Sequence, residues 1–296
     1  MTILEELAPL RAAVDRELDA FLPAESERPA SVHRAMRYSA LSPGKRLRPI
    51  LAVLTAEAFG ERPERILPVA SAIDLIHSYS LIHDDLPCMD DDDFRRGVPT
   101  CHKAFGEAVA VLAGDALLTC AFEMIITNGR RQGFLADELL SVIEEISRAA
   151  GNRGMIAGQV EDIESEGREI DAAQLEYIDH HKTGRLFTAS IRTGALLAHA
   201  PAKGLEAVSR YGDLFGQVFQ ITDDILDVEG DRAEMGKSPG SDQKKLKATY
   251  PRLHSLEGAR QKAAQLTAAA VAAIADLGPA GRQLAALVEF LPRRRA

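Results

Sequence analysis

The chain is predicted to fold as an all-α protein, and three observations carry that reading. Ala and Leu are abundant, aromatic residues make up only 5% and Trp is absent. Apolar residues recur three and four positions apart through nearly every segment, the spacing that builds one face of a helix. No stretch keeps the apolar–polar alternation of a half-buried strand. With 296 residues there is enough chain for a large core. No linker of domain-boundary quality and no short-period repeat divides it, so residues 1–296 read as a single all-α domain.

Taken in order, residues 2–21 carry Leu4, Leu7, Leu10, Val14 and Leu18 at helical spacing. A linker, 23–29, precedes a short helix at 31–39. The string Ser42-Pro43-Gly44-Lys45-Arg46-Leu47-Arg48-Pro49 is a loop feeding a buried helix over 50–59. Residues 64–86 form a long helix with Ile66, Val69, Ala70, Ile73, Leu75, Ile76 and Tyr79 on its apolar side, and Pro87 ends it. Helices at 105–128, 136–149, 151–166, 171–182 and 184–199 follow, mostly separated by Gly or polar turns. A second long helix covers 203–228, the stretch 231–250 is rich in Gly, Pro, Lys and Asp and reads as a mobile loop, and helices at 255–276 and 278–291 close the chain.

The net charge of −9 argues against nucleic acid as the main partner. Cys88, Cys101 and Cys120 form no CxxC pair, which fits a reducing compartment. The N-terminus lacks the apolar core of a signal peptide, and no uninterrupted apolar run reaches transmembrane length. A cytoplasmic protein with no membrane span is expected.

Two aspartate-rich clusters dominate the chemistry. Asp84-Asp85-Leu86-Pro87-Cys88-Met89-Asp90 runs on through Asp91, Asp92 and Asp93; Asp223-Asp224-Ile225-Leu226-Asp227 lies far downstream. Both sit near the C-terminal ends of long apolar helices, where the helix dipole disfavours carboxylates. Asp223 and Asp227, four apart, share a helix face with Asp224 beside them. An isolated DDxxD reads equally as a solvated helix end, but the turns before Asp223 are mostly apolar, which favours a cleft. In the first cluster Pro87 interrupts the helix, so spacing does not decide whether Asp90 or Asp91 joins Asp84. All-oxygen ligands suit Mg²⁺, which keeps waters and bridges to substrate phosphates, so two facing clusters suggest a Mg²⁺–diphosphate site.

A basic complement accompanies them. Lys45, Arg46 and Arg48 precede a helix N-terminus, Arg95 and Arg96 follow the acidic run, and Lys182 and Arg185 flank Thr183-Gly184 at a helix break. Lys237, Lys244, Lys245 and Lys247 lie in the 231–250 stretch. His77 precedes Asp84 by two turns, with Asp74 three residues earlier to orient it. Singly, each reads as a surface charge; their value lies in their neighbours. The run Arg293-Arg294-Arg295 reads first as a frayed, solvated terminus, with closure over the site as the alternative.

These residues resemble a family. Asp84–Asp90 with Arg95-Arg96, Gly44-Lys45-Arg46-Leu47-Arg48-Pro49, Asp223–Asp227 and the downstream strings Gly236-Lys237-Ser238-Pro239-Gly240-Ser241-Asp242 and Lys247-Ala248-Thr249-Tyr250-Pro251 are similar to the ordered motifs of the trans-isoprenyl diphosphate synthases. Order and spacing hold from about residue 30 to residue 260, and the pattern most resembles the bacterial farnesyl diphosphate synthases within that family. The resemblance implies an all-α bundle of antiparallel helices around a deep central cavity, usually as a homodimer, and Mg²⁺-dependent head-to-tail condensation of isopentenyl diphosphate with dimethylallyl or geranyl diphosphate. It assigns Mg²⁺ to Asp84 and Asp90 and a further Mg²⁺ to Asp223, with Asp85, Asp224 and Asp227 supporting them. Lys45, Arg48, His77 and Arg96 would bind isopentenyl diphosphate; Arg95, Lys182 and Lys237 would contact the allylic diphosphate; Thr183 and Gln220 would lie near the developing cation. No protein general base is nominated. Tyr79, just over one turn before Asp84, is expected to floor the cavity at a fifteen-carbon product, with smaller Ser80 beside it.

Rival readings explain less. A geranylgeranyl diphosphate synthase would differ only in product length. A class I terpene cyclase would leave Lys45, Arg48 and His77 idle. An HD-type metal phosphohydrolase would use His83-Asp84 with His33, His77, His180 or His181, and leaves the second cluster unexplained. A non-catalytic partner subunit would be expected to have lost motif carboxylates, and both clusters are intact.

Overall fold

The structure, a computed structural model, describes residues 2–229 and 249–294. Its helices are α1 (Ile3–Glu6), α2 (Ala8–Phe21), α3 (Ala30–Ala40), α4 (Leu47–Ala58), α5 (Pro63–Ala70), α6 (Ala72–Asp84), α7 (Cys101–Phe105), α8 (Glu107–Arg131), α9 (Ala136–Ala150), α10 (Met155–Ser165), α11 (Ala172–Ile178), α12 (Arg185–Leu197), α13 (Ala202–Glu229), α14 (Tyr250–His254), α15 (Leu256–Ala273) and α16 (Arg282–Phe290). The all-α expectation holds. The 231–250 stretch, Lys237 included, lies outside the described residues as far as Ala248.

The helices pack as two apolar clusters with a shared wall. One gathers Val14, Leu18, Met36, Ile73, Ile76, Leu117, Met124 and Val142, from α2, α3, α6, α8 and α9. The other gathers Ile191, Tyr211, Phe215, Leu266, Leu284 and Leu287, from α12, α13, α15 and α16. α4 divides its faces between them: Ala52, Val53 and Ala56 point one way, Ile50, Leu51 and Leu54 the other. α12 does the same with Leu186 and Leu197 against Phe187 and Ile191. This explains why α4 is buried almost all round.

Four local departures from the sequence reading bear on the site. The long helix at 64–86 is kinked into α5 and α6 at Ser71, three residues after Pro68. There Leu67 O accepts both the Ser71 N–H (2.9 Å) and its Oγ (2.8 Å). The expected break at Lys182–Arg185 is a continuous helix with a π-helical turn, Asp179–Gly184, joining α11 to α12. A two-residue antiparallel ladder, β1 (Phe94–Arg95) with β2 (Val98–Pro99), follows the first acidic cluster, its register pairing Arg95 with Val98. Arg96 (φ 54°) and Gly97 (φ 80°) form its tight turn, both left-handed as a two-residue hairpin of this kind requires.

The fourth concerns apolar length. Pro63–Asp84 and Glu107–Arg131 are each long and apolar enough to cross a membrane by length and composition, against the expectation that no run is. The first is kinked and largely buried inside the protein. The second, α8, packs on α3 and α6 along one side and leaves Val111, Leu112 and Ile126 exposed on the other.

Candidate functional site

The first acidic cluster is shaped by the chain turning back on itself after α6. Asp90 N donates to Asp84 O at 2.8 Å and Asp91 N to Leu86 O at 3.0 Å. This turn sets Asp90 beside Asp84, half-buried, while Asp91 (φ 50°) is exposed. Asp84 Oδ1 accepts from Gln159 Nε2 at 2.5 Å and lies 3.9 Å from Lys182 Nζ. Asp85 faces the other way: it is 3% exposed and its carboxylate is gripped by Arg95, with Nε–oxygen distances of 2.8 and 2.7 Å. Asp85 therefore aims Arg95, and the hairpin carries that guanidinium back over the cluster.

The second cluster ends α13. Asp224 is buried; its Oδ1 accepts from Gln220 Nε2 (2.9 Å) and its Oδ2 from Tyr250 N (2.8 Å), and Gln220 Oε1 accepts from Thr183 Oγ1 (2.9 Å). The Thr183–Gln220 pair is thus fixed as one unit by Asp224. Asp223 turns outward, half-exposed, and pairs with Arg294. Asp227 lies one turn further along α13, half-buried.

Arg294 corrects the expected solvated terminus. Its side chain is 3% exposed, stacks over Phe219 at 4.4 Å and donates to Phe219 O at 3.2 Å. Arg295 lies outside the described residues.

The basic complement converges between the clusters. Arg48 stacks over Phe187 at 4.2 Å, and its buried Nε has no hydrogen-bond partner among the described residues. Burial pushes its guanidinium down to about 10, so it stays charged at neutral pH. Burial also lowers Lys45, with Arg294 and Arg96 repelling it and Asp223 opposing them. Burial and the Arg48, Arg96, Arg95 and Arg46 charges hold His77 well below its ordinary value, so its imidazole is neutral. The Arg96 guanidinium lies close to Gly44: a Cβ there would stand 2.9 Å from Arg96 Nη1. Asp74 does not orient His77 as the spacing suggested. Its Oδ2 accepts from Arg46 Nη1 (2.5 Å), and Arg46 also binds Asp15 Oδ1 (2.7 Å) and Ser42 O (2.9 Å), which makes Arg46 a brace for the loop.

Sequence reasoning missed three acids and amides here. Lys182 Nζ donates to Asp162 Oδ2 at 2.7 Å, and Gln159 holds Asp84. Gly158-Gln159-x-x-Asp162 was the available signal, since three-residue spacing puts Gln159 and Asp162 on one helix face. Asp179, in the π-turn, is raised well above the usual carboxylate range by burial and by Asp224 and Asp162. The shared neighbours tie the two acidic clusters to one region: Arg48 feels both Asp223 and Arg96, and Asp179 both Asp162 and Asp224.

Tyr79 is buried where α6 meets α8, edge-on to His83 at 5.8 Å. Ser80 Oγ donates to His77 O at 2.8 Å. His83 turns away from Asp84, its Nε2 3.0 Å from Val111 O. Among the described residues no group of three His, Cys, Asp or Glu side chains gathers as a ready-made metal cage. The donors fit Mg²⁺ in its other mode, one or two carboxylates completed by water and phosphate oxygens. Asp84, Asp90, Asp223 and Asp227 offer only oxygen, and protein cations, Lys182 near Asp84 and Arg294 on Asp223, now answer charge that a metal would answer.

A model of the polyprenyl synthetase family matches residues 29–277. The chain belongs to the polyprenyl synthetase family. It is a prenyltransferase by that membership. Farnesyl diphosphate synthase of Geobacillus stearothermophilus is 44% identical over 294 residues, covering 99% of this chain and 98% of that one. Among solved structures, the apo FPP/GFPP synthase from Zymomonas mobilis superposes with a TM-score of 0.84 at 36% identity, covering 98% and 97% of the two chains. Geranylgeranyl pyrophosphate synthetase from Pyrococcus horikoshii gives a TM-score of 0.89 at 29% identity, covering 99% and 98%.

Proposed function

We propose that this prenyltransferase condenses isopentenyl diphosphate head-to-tail with dimethylallyl or geranyl diphosphate and releases farnesyl diphosphate. The carrying observation is the convergence of two oxygen-only acid clusters with a group of cations among which the buried Arg48 Nε has no hydrogen-bond partner among the described residues. Asp84, Asp90, Asp223 and Asp227 would hold Mg²⁺, which would supply charge neutralisation for a leaving diphosphate. Lys182, placed by Asp162, and Arg95, placed by Asp85, bind the allylic diphosphate. Lys45, Arg48, Arg96 and neutral His77 bind the second diphosphate. The Thr183 and Gln220 oxygens, locked by Asp224, face positive charge at the allylic carbon without attacking it. Held alongside, the isopentenyl double bond adds to that carbon as the carbon–oxygen bond to the leaving diphosphate breaks, and the tertiary cation so formed loses a C2 proton, which the freed diphosphate accepts, to restore a double bond. A second set of cations, Lys45, Arg48 and Arg96, favours elongation over a cyclase, and His83 Nε2 lies 3.0 Å from Val111 O, which counts against an HD-type ligand pair.

Tyr79 sets the product. Its buried ring lies on the α6–α8 side one turn behind Asp84, where a growing tail would meet it. Incubation with Mg²⁺, labelled isopentenyl diphosphate and geranyl diphosphate, followed by sizing of the dephosphorylated alcohols, tests both points. Wild type should stop at fifteen carbons and Tyr79→Ala should run longer. A twenty-carbon wild-type product would support a geranylgeranyl diphosphate synthase, and no incorporation would overturn the elongation reading.

The chain acts as a homodimer in this reading. Leu112 (58% exposed) on α8, Leu140 (60%) on α9, and Ile156, Val160 and Ile163 on α10 support it: water-facing apolar residues on adjacent helices suit a second copy.

A further inference from the structure

A second basic cavity lies outside the acidic clusters. It measures about 430 Å³ and opens between α9, the start of α10, α12 and α13. Four arginines line it: Arg148, Arg153, Arg185 and Arg192. On a chain of net charge −9, four converging guanidiniums are a local inversion of sign.

The arginines divide into two kinds. Arg192 is structural: its Nε donates to Glu145 Oε1 (2.8 Å) and its Nη1 to Ser209 Oγ (2.6 Å), tying α12 to α9 and α13. Arg148 pairs with Glu144 on its own helix at 2.5 Å. The Arg153 and Arg185 guanidiniums make no hydrogen bond or ion pair among the described residues, and both residues are exposed at the cavity. The two acids of the wall do not serve them: Glu145 is taken by Arg192, and Asp213 Oδ1 accepts from Thr188 Oγ1 at 2.8 Å.

We propose that this cavity binds a small anion carrying a diphosphate group, held by Arg153 and Arg185. A guanidinium presents a planar fork that matches a phosphoryl group in two parallel hydrogen bonds. Two unpaired forks on separate elements ask for two linked phosphoryl groups, and the volume falls within the range of small-molecule sites, about 300–1,000 Å³. The chemistry could come from inorganic diphosphate or from the head of a prenyl diphosphate. Either would bridge two segments that lead into the prenyl-transfer site. Arg153 lies two residues before α10, which carries Gln159 and Asp162; Arg185 immediately follows the π-turn, which carries Lys182 and Thr183. Binding from outside would brace the Asp162–Lys182 pair.

Arginine-specific labelling with phenylglyoxal, mapped by peptide mass spectrometry, tests this on the full chain in EDTA. Inorganic diphosphate, geranyl diphosphate and sulfate at matched ionic strength are the three probes. Inorganic diphosphate should slow labelling of Arg153 and Arg185 several-fold, with sulfate far less effective. Protection by geranyl diphosphate as well would identify the prenyl head group as an occupant; protection by inorganic diphosphate alone would identify the free ion. In parallel calorimetry, Arg153→Ala with Arg185→Ala should weaken one binding event about tenfold or more, since each lost charged hydrogen bond is worth about a factor of ten. Unchanged labelling of both arginines, or equal protection by sulfate, would overturn the assignment.

Discussion

His77 shows how one residue's surroundings set its charge. Four arginines and burial keep it neutral, with its proton affinity far below that of a free imidazole. In the unfolded chain it protonates below about pH 6.5. The folded state therefore binds fewer protons there, and stability falls as the pH drops through that range, by at most about 1.4 kcal/mol per pH unit. Replacing His77 by Gln removes this term. The fall in melting temperature from pH 7.5 to 5.5 should be smaller in His77→Gln than in wild type; an equal or larger fall would refute the neutral-imidazole assignment. At this scale the sequence exposed which residues carry charge but not all their partners. Asp74 stands three before His77, yet a guanidinium from another segment, Arg46, takes it, because a charged donor outcompetes a neutral ring. Lys182 was legible and Asp162 was not, since their pairing spans twenty residues and depends on how α10 docks.

At the scale of elements, that docking is governed by Gly158. A Cβ built there would lie 2.2 Å from Lys182 N, a backbone atom that has no room to yield. Gly158→Ala gains helix propensity of about 1 kcal/mol, but overpacking costs about 1–3 kcal/mol and moves α10 away from the π-turn. Its melting temperature should fall and its turnover should fall with it; a stable, fully active variant would show that α10 need not touch the π-turn. Most helices were readable from periodicity, and α9 and α13 match within a residue or so of their predicted limits. The kink at Ser71 and the π-turn were not, because both keep helical spacing while changing the hydrogen-bond pattern. The Phe94–Pro99 hairpin is too short to show alternation; its signal was the Arg96-Gly97 turn.

For the whole molecule, the exposed apolar residues of α8, α9 and α10 predict association. Light scattering behind size exclusion should give a dimer mass for wild type and a monomer mass for Leu112→Glu with Leu140→Glu. A monomeric wild type, or a variant that stays dimeric, would contradict this use of the face. The convergence of the acidic clusters was legible only through the ordered motifs, since Asp223 lies 133 positions after Asp90 and no periodicity spans such a gap. The central claim is that both clusters act as one metal-dependent diphosphate site. The most direct test is label transfer from isopentenyl diphosphate to geranyl diphosphate over a Mg²⁺ titration, in wild type, Asp84→Asn and Asp223→Asn. Wild-type transfer should vanish with EDTA, and each variant should lose about 100-fold or more in turnover, the scale of a lost electrostatic contact to a transition state. Transfer that survives EDTA, or a variant that keeps the wild-type rate, would contradict it.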